Sequence, residues 1–146
     1  MRKNCLIFTE KSLAATKSRI NRATPANVNP QATEYQEQVA VIDWCNHHPI
    51  AKHIFAITNG ARVAIGQAVK LKRAGVRKGV PDLFLPVPRR EDYGLFIELK
   101  RKKGGVISTE QKEWIKTLRG NGYAAVVCAG ADEAITVIKN YLQLPT

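Results

Sequence analysis

A chain of 146 residues, 45% hydrophobic and 24% charged, suffices for one domain with a real core, is short for two, and is not that of a disordered protein. Charge is the departure from the ordinary: 23 Lys and Arg against 12 Asp and Glu give +11 at pH 7. That excess points to a polyanionic partner, because each phosphate neutralised releases condensed counterions. Three cysteines without a Cys-x-x-Cys spacing exclude a zinc knuckle and a disulfide framework, and Cys45 and Cys128, in apolar segments, read as small core residues. The apolar run from Cys5 to Phe8 is too short for a signal sequence, and no stretch nears the ~20 apolar residues of a membrane helix. A soluble, cytoplasmic protein is the expectation.

Residues 1–30 carry six basic residues and one acid and end in Thr-Pro-Ala-Asn-Val-Asn-Pro, which reads as an irregular basic arm before a domain spanning 31–146. From Thr33, a capping residue, apolar Tyr35, Val39, Ile42 and Cys45 predict a helix to about Asn46, stopped by Pro49. His53 to Thr58 reads as a short strand closed by the turn dipeptide Asn59-Gly60. Ala61 to Ala74 is expected to be partly helical, ending at Gly75. Val80 to Val87 and Gly94 to Lys100 read as two strands joined by a polar connection at 89–93. A Ser-x-x-Gln capping box at Ser108 opens a helix to Gly120. Tyr123 to Ala129 is an apolar strand suited to the middle of a sheet, and Asp132 to Leu142 a last helix whose first acids suit its dipole. This order predicts an α/β sandwich with a mixed central sheet flanked by helices.

The chemistry concentrates in Gly79-Val-Pro-Asp82-Leu-Phe-Leu and Leu95-Phe-Ile-Glu98-Leu-Lys100. Glu98 and Lys100, two apart on a strand, project from one face, while Leu95, Ile97 and Leu99 face the other way as core. Glu-x-Lys alone is a weak signal, since a solvated edge strand explains most instances. Asp82, at the mouth of the preceding strand, changes the balance. If the strands pair, two carboxylates and an ammonium converge, and the carboxylates repel unless a cation sits between them. Hard carboxylate oxygens suit Mg²⁺ or Mn²⁺, which polarise a phosphoryl oxygen and acidify a bound water. A lysine beside them orients the water or balances transition-state charge.

Pro81-Asp82 with Glu98-Leu99-Lys100 resembles the signature of the PD-(D/E)XK nuclease superfamily. Asn59-Gly60, Gly75-Val-Arg-Lys-Gly-Val-Pro-Asp82-Leu, Glu98-Leu-Lys100, Gln111 and Gly122-Tyr123 together resemble, more narrowly, the virus-type replication–repair nuclease (VRR-NUC) domain, over about Thr33 to Leu142. The resemblance implies a restriction-endonuclease-like core and a Mg²⁺- or Mn²⁺-dependent DNA endonuclease. It makes Asp82 and Glu98 metal ligands and Lys100 the catalytic lysine, with an acid on the first helix completing the site. Glu34, paired with Gln38 in the family's Glu-x-x-x-Gln spacing, is favoured for that acid over Glu37. Gln111 lies beside the family's active site, although as the last residue of its capping box it also serves the helix start. Single-domain relatives look like phage or bacterial proteins that cut branched DNA, such as Holliday junctions, as homodimers in replication, recombination or repair.

Lys70, Lys72, Arg73, Arg77 and Lys78 precede Asp82 with no acid among them, and Arg101, Lys102 and Lys103 follow Lys100. These are the candidate DNA-backbone contacts. His47, His48 and His53 match no zinc ligand set and read as residues of a helix end. No phosphate-binding glycine loop or dinucleotide fingerprint is present, so no nucleotide cofactor is expected. Two readings compete with the nuclease: a basic DNA-binding module without catalysis, and a structural protein whose Asp82, Glu98 and Lys100 form only an ion-pair network.

Overall fold

The computed structural model describes residues 32–58 and 65–145. The expected basic arm and the Asn59-Gly60 turn lie outside them.

Helix α1 spans Glu34–Asn46 and opens on a reciprocal capping box, with the Gln36 N–H donating to the Thr33 hydroxyl and the Thr33 N–H to the Gln36 side chain. The helix ends as its histidines turn back: the Nδ1 atoms of His47 and His48 lie 2.7 and 2.8 Å from the carbonyls of Asp43 and Trp44. The buried stripe of α1 differs from the apolar one read in the sequence. Tyr35 is 75% exposed, and the inward positions are Glu37, Val41 and Cys45, spaced by four. Burial pushes the Cys45 thiol up to about 12, which makes it an inert core residue.

A 3-10 turn (Ala51–His53) replaces the start of the expected strand, which shrinks to β1, Phe55–Ala56. Helix α2 spans Ile65–Arg73, β2 Leu83–Leu85, β3 Leu95–Lys100, α3 Thr109–Gly120, β4 Ala124–Ala129 and α4 Ala131–Leu142. The sheet order is β1-β2-β3-β4, antiparallel except for the parallel β3/β4 pair, which α3 joins as the crossover. The expected mixed sheet between helices is thus present.

Alternation along the strands sorts the two faces. Leu83, Leu85, Leu95, Ile97, Leu99, Val126 and Cys128 bury against Val41 and Cys45 of α1 and against Val137, Ile138 and Tyr141 of α4. The opposite face packs a smaller cluster, Ile115, Leu118 and Ala125, beneath α3. Phe84 stacks on Phe96 there, with ring centroids 4.2 Å apart. Asp82, Glu98 and Lys100 fall on this second, less apolar side, where a polar cluster displaces fewer core contacts.

Glu37 couples α1 to α4. It is 2% exposed, and its Oε2 accepts the Ala131 N–H at 2.6 Å, satisfying an orphan amide where the N-cap, Gly130, has no side chain. Gly130 stands at φ +86°, and a Cβ there would come within 2.7 Å of the Lys102 side chain. In urea denaturation, Glu37→Ala should lower the unfolding free energy by about 2–3 kcal/mol, and Glu37→Gln, which keeps an oxygen for Ala131, by about 1 kcal/mol. Equal losses for the two variants would count against the cap.

Candidate active site

Pairing of Leu83 with Ile97, carried one step further, sets Asp82 opposite Glu98 at the point where β2 begins. Asp82 does not continue the ladder with its backbone alone: its Oδ2 accepts the Leu99 N–H at 2.8 Å, so the β3 backbone itself orients the carboxylate. On β3, Glu98 is 1% exposed. Its Oε1 accepts from the Lys100 ammonium at 2.5 Å and from the Gln111 amide of α3. Its Oε2 is buried with no hydrogen-bond partner among the described residues.

Gln111 holds both roles open to it in the sequence. Its Oε1 accepts the Ser108 N–H at 2.9 Å as part of the α3 capping box, while its Nε2 donates to Glu98. One amide therefore sets the helix start and the carboxylate together.

The segment that delivers Asp82 is clamped to α3 by contacts more than thirty residues apart in sequence. Trp114 donates its indole N–H to the Lys78 carbonyl at 3.1 Å, and Lys78 pairs with Glu110 at 2.5 Å. Gly79, at φ +84°, lies so close that a Cβ would come 2.7 Å from the Glu110 backbone. Local pattern gave no sign of the Trp114 clamp, because both partners look ordinary until the chain folds.

Burial is the largest influence on both carboxyls. It pushes Glu98 up to about 7 from its ordinary 4.5, against the lowering effect of the Lys100 hydrogen bond, with the Asp82 charge adding to the rise. Burial also raises Asp82, opposed by the Leu99 N–H and by Lys100. The charge of Glu34 raises both, in keeping with its place on the same cleft. Glu37 is buried in the α4 cap, so of the two acids in the first turn of α1 it is Glu34 that lines the cleft.

This cleft, of about 830 Å³, is bounded by Glu34 on α1, by Ala68, Leu71 and Lys72 on α2, and by the 101–106 loop. Asp82, Glu98, Lys100 and Gln111 line it, as do Arg77, Lys78 and Arg101. Lys70, Arg73, Lys102 and Lys103 lie outside its lining, and Lys102 pairs with Asp132 at 2.8 Å. The three histidines stand apart from the cleft lining.

All the potential metal donors here are carboxylate oxygens, the set that suits a hard divalent ion. A buried, unpartnered Oε2 beside a second raised carboxyl is the arrangement a cation would relieve, and the residues present fit one. Among the described residues no three His, Cys, Asp or Glu side chains are grouped so that together they could hold a metal ion. Mg²⁺ needs only one or two carboxylates, its remaining positions going to water and phosphate.

The Glu98 shift has a sign that can be checked. A carboxyl raised in the folded state contributes stability that is fully present below pH 4.5 and lost as pH rises through about 7. In EDTA, wild type should therefore lose melting temperature relative to Glu98→Gln between pH 5 and pH 8. Melting curves of the two proteins that move in parallel over that range would refute the shift.

Comparison with known proteins agrees with this geometry. The VRR-NUC domain family matches residues 30–132. A solved structure described as a VRR_NUC domain protein is 34% identical, with a TM-score of 0.68, over 77% of this chain and 90% of that one. No curated protein matches the chain significantly. With the family's match spanning most of the sequence and the mixed sheet superposing on a solved member, the chain belongs to the VRR-NUC family, a nuclease-type DNA-processing domain of PD-(D/E)XK-like fold.

Proposed function

We propose that the protein is a divalent-metal-dependent DNA endonuclease that selects branched DNA, such as a Holliday junction, and acts as a homodimer in replication, recombination or repair. A phage-infected or bacterial cytoplasm is the setting this reading implies. The observation that carries it is Glu98: a carboxylate buried in the sheet, one oxygen held by Lys100 and Gln111 and the other unpartnered beside Asp82. A purely structural ion pair has no use for that second oxygen, since a buried unsatisfied group only costs stability.

Asp82 and Glu98 would hold Mg²⁺ or Mn²⁺, with Glu34 completing the ligand set from the rim. The ion, when bound, polarises the scissile phosphate and acidifies an attacking water. The protein's own groups do the rest. Lys100, tethered to Glu98 at 2.5 Å, keeps its ammonium at the reacting centre, where it orients the nucleophile and offsets negative charge gathering on phosphorus. Gln111 keeps Glu98 from turning away when its charge is drawn towards the cation. Lys72, Arg77, Lys78 and Arg101 on the cleft walls hold the DNA backbone in register, with Lys70, Arg73, Lys102 and Lys103 adding positive charge beyond them. The homodimer is what the resemblance to the family implies, and it would suit a four-way junction, since one compact site cuts one strand and a junction needs two symmetric cuts.

Labelled four-way junction, flap, duplex and single-stranded DNA, each incubated with Mg²⁺, Mn²⁺ or EDTA, test the proposal. Cutting should require the metal, favour the junction, and fall about 10²–10³-fold or more in Asp82→Ala and Lys100→Ala. Gln111→Ala should cut about 10–100-fold more slowly, as expected when a group supporting a metal ligand is lost. Tight binding with no cutting under either metal would establish a non-catalytic DNA-binding module instead. Sedimentation of the protein–junction complex reads the dimer.

A further inference from the structure

Helix α2 stands out by what it fails to bury. Of residues 66–73 only Leu71 is half-buried, the others are exposed, and Val69 shows 55% of its surface to solvent. Among the described residues each other α-helix buries at least two side chains, and α4 buries six. Among the described residues, α2 packs closely on no strand and on no other helix. Over its nine described residues α2 lacks the packing that steadies a helix, and hydrogen bonds alone leave short helices marginal in water. Gly66 and the β-branched Val69 lower its propensity further. Its local stability therefore lies near the bottom of the range the molecule spans.

The charge of α2 says what it is built to meet. Lys70, Lys72 and Arg73 occupy its last turn with no acid in its first, and Arg77 and Lys78 follow. Ala68, Leu71 and Lys72, at i, i+3 and i+4, form a wall of the cleft that holds Asp82 and Glu98. Val69, Lys70 and Arg73 face away from that wall into open solvent. A polyanion lying across the lip would meet cations on both sides of this helix.

We infer that α2 is a DNA-docking helix whose stable formation is coupled to the substrate's phosphate backbone, so that DNA completes the wall of the cleft it enters. This rests on the reading of the partner as DNA. The continuity of α2 with the catalytic carboxylates favours that partner over an acidic protein, which would occlude the cleft. Because ordering α2 draws on binding energy, a DNA that cannot reach Lys70, Lys72 and Arg73 binds a cleft with one wall unformed. Substrate selection then resides partly in this helix as well as in the site it borders.

Amide hydrogen exchange of the full chain, with and without labelled four-way junction in EDTA and low salt, tests the coupling. In the free protein, α2 amides should show at least ten-fold less protection than those of α4, and saturating DNA should raise their protection at least ten-fold. Gly66→Ala, at a position where an added Cβ meets nothing within 4 Å among the described residues, should protect α2 in the free protein and tighten the junction Kd about two- to four-fold. Protection of α2 equal to that of α4 without DNA, unchanged exchange under saturating DNA, or an unaltered Kd for Gly66→Ala would overturn the inference while leaving the nuclease reading intact. Absence of DNA binding by the wild type would overturn both, and equal protection by poly-glutamate would reduce α2 to a generic basic surface.

Discussion

A carboxylate with almost no contact with water, set in the middle strand pair of a small sheet, governs how the rest of this molecule is arranged. Burying Glu98 carries a desolvation penalty that only directed partners can offset. Lys100 supplies one from two residues along the same strand, which needs no further architecture. Gln111 supplies the other from α3, and that demands a helix start fixed in position. The Ser108 cap, the Gly79 contact and the Trp114 clamp all serve to fix it. Each would be an unremarkable packing detail without a buried charge to be held.

The same economy governs α1. Residues three apart on a helix are displaced by about 60° around its axis, given 3.6 residues per turn. Turning Glu37 fully inward to cap α4 therefore leaves Glu34 at the rim of the same side, where its charge acts on both buried carboxyls. The cap thus sets the rotation of α1, and through it the reach of the acid one turn earlier.

Legibility of the sequence divided along the range of the interactions. Short-range signals carried well. The Thr33 and Ser108 caps, the alternation of Leu95, Ile97 and Leu99 with Glu98 and Lys100, and the burial of Cys45 and Cys128 all follow from neighbours within four residues. The pairing of β2 with β3, which brings Asp82 to Glu98, could be read only as a condition, and the resemblance to a family made it an expectation. The inward stripe of α1 departs from its apolar pattern, because Glu37 is polar and buried while Tyr35 is apolar and exposed. A capping bond to a residue 94 positions away reversed both. The short β1 was overextended for a related reason. Apolar residues after Pro49 enter a 3-10 turn whose bonds are local, and only Phe55 and Ala56 find partners across the sheet. The contacts of Lys78 with Trp114 and of Gly79 with Glu110 have no local signature at all.

Two of the basic residues read as DNA contacts are engaged with acids, Lys78 with Glu110 and Lys102 with Asp132. These pairs do not remove the lysines from an interface. Both lie in partly or fully exposed surroundings, where water and salt screen an ion pair and its net worth is small. Glu110 and Asp132 sit in the first turns of α3 and α4, where the helix dipole already favours a negative charge. Each acid therefore has a second source of stabilisation and can release its lysine to a phosphate without being left unpartnered. The exchange also positions the cations in advance: Lys78 is held beside the segment entering Asp82, and Lys102 beside the loop leaving Lys100. Positive charge is thereby kept on both sides of the carboxylates while no DNA is present, although a free lysine would lose that placement to side-chain entropy. Under the proposed function Glu110 and Asp132 would give way to phosphates, which reconciles a strongly basic surface with lysines that are already paired.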